Sequence, residues 1–356
     1  MKIGGKTYTR DELTERVGNL AQLGGTRRVV LDDGPAKGVS AIDVDTGTGF
    51  CFTVLPDRGL DISRASYKGL GFVHLTANGE VHPAFYDPHG LGWLRSFFAG
   101  LLTTCGITNI GPPGTDGDEE LGLHGRYTNL PAQKVQDRSG WDGDEYGIEI
   151  AGTVEQCVLF GDKLRLTRTM STHIGRRGLT IHDQVENFGH RPSPFAILYH
   201  VNPGFPLLDA ASELVATVAK TEPVNEHSAK AIGEWNRFSA PTAGFEEMNY
   251  LHTAKPDKNG VACAAMLNRE LAGGLGLQVR WDTTTLPYFN EWKMMGQGDY
   301  VVGIEPCNSP CETRAVVREK GLLPMLEPGE TREMHVEIDV LAGAGELDAC
   351  AKACAR

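Results

Sequence analysis

The chain has 356 residues, 22% of them charged and 40% hydrophobic, enough for one large domain or two ordinary ones around a sizeable core. Its 46 acidic and 34 basic side chains give a formal charge of −12, which argues against a nucleic-acid partner, since that affinity comes from neutralising phosphates. The longest strongly apolar run, Phe97 to Leu102, falls far short of the roughly 20 residues of a spanning helix, so no membrane partner is expected.

The amino terminus, Met1-Lys2-Ile3-Gly4-Gly5-Lys6, shows no apolar export segment, and the cytoplasm is the expected location. The 8 cysteines are dispersed and should be reduced thiols. Cys307 and Cys311, like Cys350 and Cys354, are four apart, but no second ligand pair completes a zinc site of known spacing, so no metal is expected. With 44 glycines and 19 prolines, short strands and many turns are favoured over long helices.

In chain order, Thr9-Arg10-Asp11-Glu12 is a capping box followed by Leu13, Val17 and Leu20 at helical spacing, which predicts an outer helix over about residues 8–22. Leu55-Pro56-Asp57-Arg58-Gly59-Leu60-Asp61-Ile62 breaks a strand with proline and glycine between opposite charges, either a surface ion pair or part of a site. Arg95 sits in the largely apolar stretch Trp93–Gly106, where a guanidinium needs a carboxylate or an oxygen-rich ligand. In Leu123-His124-Gly125-Arg126, the imidazole of His124 is either a turn residue or a ligand contact. Val154–Leu159 and Leu164–Ser171 flank a hairpin at residues 160–163, and Gly175-Arg176-Arg177-Gly178 precedes the strand with Leu179, Ile181 and Val185 on one face. The apolar run from Pro194 ends in Tyr199-His200 and a turn of Asn202, Pro203 and Gly204, which puts His200 at the mouth of a sheet or in a core. Leu275, Leu277, Val279 and Trp281 alternate with polar residues, as do Met334, Val336, Ile338 and Val340. Between these, Glu291, Trp292 and Lys293 offer an aromatic face with polar neighbours, and Glu305 ends an apolar strand where burial tunes a carboxylate or an arginine pairs it.

Taken in order, Leu123-His124-Gly125-Arg126, Leu179–Asn187, Leu198-Tyr199-His200, Gly303-Ile304-Glu305-Pro306 and Leu326–Thr331 resemble the aldose 1-epimerase, or galactose mutarotase-like, family from about residue 25 to 342. The match is to a less characterised branch marked by Leu-Pro-Asp-Arg-Gly-Leu-Asp, Gly-Leu-Leu-Thr-Thr-Cys-Gly and Glu-Pro-Cys-Asn. The resemblance implies an all-β fold: a β-supersandwich of large antiparallel sheets over residues 25–342, with a few short peripheral helices. Residues 1–24 would be a helical extension packed on it and 343–356 a tail. It also implies His200 as general acid, Glu305 as general base and His124 as a sugar ligand, with no cofactor.

Arg58, Asp61, Arg95, Arg126, Asn202, Glu291 and Lys293 are further candidate substrate-binding residues. Arg58, Arg95, Arg126 and Lys293 are more cations than a neutral sugar needs; converging on one pocket, they predict a sugar bearing phosphate, carboxylate or sulfonate. The expected partner is thus a small-molecule sugar, with a homodimer left open. The expected function is a carbohydrate mutarotase or epimerase. An aldose–ketose isomerase or epimerase acting next to a carbonyl, and a non-catalytic sugar-binding protein, are the alternatives.

Overall fold

Strict alternation of apolar and polar residues yields long antiparallel strands. In the computed structural model, which describes residues 1–3 and 5–355, Glu145–Cys157, Lys163–His173 and Gly178–Asn187 pair consecutively as a meander. Gly4 and Arg356, inside the expected terminal segments, lie outside the described residues. The meander continues through Thr331–Ala342, Leu275–Asp282, Val261–Asn268 and Glu213–Ala216 into a nine-stranded sheet. A six-stranded sheet runs in the order Val218–Pro223, Met248–Ala254, Tyr288–Met295, Tyr300–Cys307, Ala196–His200, Thr103–Ile107. A five-stranded sheet built from residues 25–71 meets it through a bridge between Ile62 and Leu102. This is the all-β galactose mutarotase-like architecture. Among the described residues no helix is long and apolar enough to cross a membrane.

One large core fills the space between the nine- and six-stranded sheets, joining Leu166, Ile181, Val279 and Ile338 of the former to Ile197, Tyr199, Phe289 and Ile304 of the latter. Because successive side chains of a strand face opposite ways, residues 197 and 199, 289, and 302 and 304 point into this core, while 198 and 200, 290 and 292, and 305 and 307 lie on the other face. The second face is covered by segments from residues 91–124 that contribute Trp93, Phe97 and Leu123.

Within the core, the apolar stripes skip one position on each of two neighbouring strands, and charged side chains occupy both. Arg168 and Asp183 face each other across the strand pair and make two hydrogen bonds, Nε to Oδ1 at 2.9 Å and Nη2 to Oδ2 at 2.7 Å. Arg168 Nη1 also reaches Asp61 Oδ1 at 3.0 Å, and all three side chains are fully buried. Thr104 gives Asp61 a backbone N–H at 2.9 Å and a hydroxyl at 2.7 Å, and the Tyr199 hydroxyl donates to Asp183 at 2.8 Å. Burial raises the Asp61 pKa, and Arg168 and Thr104 oppose the rise. The cluster therefore ties the three large sheets together through one guanidinium.

The helix expected over residues 8–22 is shorter. The capping box forms, with Glu12 N–H to Thr9 Oγ1 at 3.2 Å and Thr9 N–H to Glu12 Oε2 at 2.8 Å, but the helix covers only Arg10–Thr14. Asn19 starts a separate short turn at Leu20–Gln22 by accepting the Ala21 N–H, so the apolar spacing is met by two pieces. At the other end, residues 344–354 are a helix and not a plain tail; Leu347, Cys350 and Cys354 pack one face of it onto the Val261–Asn268 strand region.

Removing the guanidinium leaves two buried carboxylates without their counter-charge. Arg168→Met should cost about 3–5 kcal/mol in denaturant unfolding at neutral pH. An unchanged midpoint would show that the cluster does not hold the sheets together.

Candidate active site

The second face of the six-stranded sheet floors a cavity of about 360 Å³ lined by His124, His200, Asn290, Trp292 and Glu305, with Trp93 and Phe97 as walls. A larger depression of about 610 Å³ over the five-stranded sheet holds Arg27 and Asp43, which pair with each other, and no histidine. The chemistry of the residues, not size, selects the former.

His200 ends the Ala196–His200 strand, and Glu305 lies in the Tyr300–Cys307 strand beside it. His200 Nε2 stands 3.1 Å from Glu305 Oε1, with both side chains almost completely buried. The approach lacks hydrogen-bond geometry, which leaves Glu305 Oε1 without a hydrogen-bond partner among the described residues; His200 Nδ1 has none either. Glu305 Oε2 accepts from Asn290 Nδ2 at 2.7 Å; Asn290 is its direct cross-strand neighbour. Gly303 makes the close approach possible: a Cβ there would collide with Glu305 Oε1 and lie 2.9 Å from His200 Cε1.

Burial sets the proton affinities. Desolvation pushes the Glu305 carboxyl up to about 8, with the Asn290 hydrogen bond pulling the other way. It drives His200 well below its ordinary value, aided by neighbouring His124. At neutral pH the resting pair thus carries a single proton, on the carboxyl, and no net charge.

His124 projects from a loop in the left-handed backbone region, φ 56°. Its N–H donates to the Gly111 carbonyl at 2.9 Å, and the Gly111 N–H donates to its Nδ1 at 3.2 Å. Burial lowers His124 to about 4, so the ring is neutral, and with Nδ1 accepting, Nε2 carries the hydrogen. Its ring lies 4.8 Å from Trp93 and 6.1 Å, edge-on, from His200. Phe97 and Trp292 complete an apolar collar around His200 at 5.3 Å and 5.6 Å.

Of the residues nominated from the sequence, His124, His200 and Glu305 meet in this cavity, and the others lie elsewhere. Arg58 is fully buried and donates to the carbonyls of Thr128, Val81 and Ser96 at 2.7, 2.7 and 2.9 Å. Asp61 belongs to the Arg168 cluster. Asn202 is buried and donates to the Gly100 and His200 carbonyls, holding the strand end that carries the imidazole. Arg95 and Arg126 are exposed and outside the cavity. Glu291 and Lys293 fall on the core face of their strand: Glu291 Oε2 meets His252 Nε2 at 3.2 Å, and Lys293 Nζ donates to the Glu234 carbonyl at 2.9 Å. The expected convergence of cations is therefore corrected, since no lysine or arginine is among the described residues that line the cavity. Asn290 was not singled out from the sequence, although its one-residue offset from Glu291 puts it on the face of Trp292; Gly303 entered only as the first residue of the Glu305 motif, with no role given to it.

A family profile described as a domain of unknown function (DUF4432) matches residues 36–340. No protein of curated function matches the chain. Among solved structures, a Klebsiella pneumoniae protein provisionally assigned as an aldose 1-epimerase superposes with a TM-score of 0.88 at 26% identity, covering 95% of this chain and 90% of that one. A galactose mutarotase-like protein from Clostridium acetobutylicum shares the fold with a TM-score of 0.64 at 14% identity, over 90% of this chain and 99% of that one. A galactose 1-epimerase from Lactobacillus acidophilus does so with a TM-score of 0.58, again at 14% identity and over 90% and 99% of the two chains.

The raised proton affinity of Glu305 has a consequence for stability. The folded state holds this proton up to about pH 8 whereas an ordinary carboxyl releases it near 4.5, so stability present below 4.5 is lost as pH rises towards 8. Glu305→Gln imitates the neutral carboxyl and does not titrate. Relative to wild type it should gain stability between about pH 5 and about pH 8, by up to a few kcal/mol in denaturant unfolding, since each tenfold change in proton affinity is worth about 1.4 kcal/mol. A constant difference across that range would contradict the burial argument.

Proposed function

Because the chain belongs to the DUF4432 family and carries the galactose mutarotase-like fold, we propose that it is a cofactor-independent carbohydrate mutarotase, opening and reclosing an uncharged sugar ring between His200 and Glu305. The observation that carries this reading is the buried His200–Glu305 contact of 3.1 Å on the floor of the cavity.

The reaction needs one group to take the anomeric hydroxyl proton and another to protonate the ring oxygen. Glu305 Oε1, lacking a partner, is free to accept the anomeric O–H, and that hydrogen bond favours the carboxylate form. The proton that the resting pair holds then resides on His200, which delivers it to the ring oxygen. As it does so the bond from C1 to the ring oxygen breaks, its electron pair stays on that oxygen, and C1 becomes a carbonyl carbon. Rotation about C1–C2 presents the other carbonyl face, and reversal of the same two transfers closes the ring with C1 inverted. One shared proton suffices for the cycle, matching the protonation that burial imposes.

Around the reacting atoms, His124 Nε2–H donates to a sugar hydroxyl, and Trp292 and Phe97 pack against ring C–H groups. The substrate is a neutral aldose, because none of the described residues lining the cavity is a lysine or arginine that would pair with a phosphate or carboxylate.

His200→Asn and Glu305→Gln should each lower anomer exchange at least about 10²-fold on a panel of neutral aldoses, read by saturation-transfer NMR, with circular dichroism unchanged. Undiminished exchange in both variants would sink the assignment. In deuterium oxide no deuterium should enter carbon; incorporation next to C1 would transfer the same residues to aldose–ketose isomerisation.

A further inference from the structure

We propose that Cys263, Cys350 and Cys354 form a three-thiolate site for a soft, thiophilic metal ion that staples the C-terminal helix to the nine-stranded sheet. Cys350 and Cys354 lie one turn apart on the helix Ala344–Cys354, on the face that also buries Leu347, and Cys263 comes from the Val261–Asn268 strand beneath it. The three sulfurs all lie within 4.8 Å of one another, and Cys354 Sγ is 3.5 Å from Cys263 Sγ. Thiolates around an ion at about 2.3 Å stand roughly 3.8 Å apart in a tetrahedral shell, so side-chain adjustments of under about 1 Å would close the site.

A neighbouring side-chain amide already contacts two of the sulfurs. Gln278 Nε2 donates towards Cys263 Sγ at 3.2 Å and Cys350 Sγ at 3.3 Å, the outer hydrogen bonding that orients metal ligands. Turning this amide over would instead offer its carbonyl oxygen as a fourth ligand. Sulfur ligands without a carboxylate select soft ions of the zinc or copper(I) class against magnesium and calcium. Binding exchanges S–H bonds for metal–sulfur bonds and releases the thiol protons to solvent, with no change of oxidation state. Two sulfurs would be enough for a disulfide, whereas three converging ones form a ligand set.

The test uses the full-length protein, reduced and stripped with chelator, titrated with Cd²⁺. It should bind one ion per chain, develop a sulfur-to-metal charge-transfer band and melt at higher temperature. Zn²⁺ or Cu⁺, added separately, should displace the Cd²⁺, and whichever does so at lower concentration identifies the preferred ion. Cys350→Ser and Cys354→Ser should lose the band and bind at least tenfold more weakly, while Cys157→Ser, at an exposed thiol elsewhere, keeps both. The proposal fails if reduced wild-type protein takes up no stoichiometric Cd²⁺, a result that depends on no variant folding. It fails equally if the band survives in Cys354→Ser, or if the cluster's sole chemistry is oxidation that consumes the Cys263 and Cys354 thiols.

Discussion

Arg168 holds two carboxylates that come from different sheets, in a place where water cannot reach any of the three groups. Its guanidinium makes two hydrogen bonds to Asp183 and one to Asp61, and the leftover negative charge is met by Thr104 and Tyr199. Such a cluster adds little to stability compared with apolar packing, but it is expensive to break, so it fixes which strands meet and in which register. Two of its donors, Thr104 and Tyr199, are cross-strand partners, and Tyr199 immediately precedes His200. The position of the imidazole is thus set from the core side of its own strand.

The other half of the site follows from strand parity. Along Tyr288–Met295 the even residues Asn290 and Trp292 face the cavity and the odd residues Glu291 and Lys293 face the core. Each face carries a histidine–glutamate pair. Glu291 with His252 is fully buried, with Thr221 closing the second ring nitrogen at 2.9 Å, and no cavity adjoins it among those described. Burial raises Glu291 and lowers His252 to about 3. His200 with Glu305 has the same chemistry, but both groups retain an unpartnered atom and face a cavity. Glu291 Oε1 also lacks a partner, so what separates the candidate catalytic pair from the structural one is the adjoining cavity and the unpartnered ring nitrogen of His200, not the residue types.

Much of this was legible in the chain. The alternation in Lys163–His173 and Gly178–Asn187 gave strands at the observed places, and it skipped at Arg168 and Asp183, a signal that a charge lies on the buried face. His124, His200 and Glu305 were nominated through ordered motifs, and the fold brings them to one cavity. Glu291 and Lys293 were placed on the wrong face because a single aromatic neighbour, Trp292, does not fix parity. Arg58 was read as a site cation because a sequence does not show carbonyls, and one of them accepts from each of its three nitrogens. Cys350 and Cys354 lacked a partner along the chain and gain Cys263 only in space. Leu347, Cys350 and Cys354 at helical spacing would have identified the last helix.

The claim on which the functional account rests is that desolvation leaves one proton on the His200–Glu305 pair at neutral pH. The pH dependence of kcat/KM for anomer exchange reports the free enzyme's ionisations directly. It should be flat across about pH 6.5 to 7.5, fall above about 8 as Glu305 loses its proton, and fall on the acid side only well below 6.5, where His200 gains one. Activity already half lost on raising the pH to 6.5, with its optimum between the ordinary glutamate and histidine values, would show an ionised pair and contradict the account.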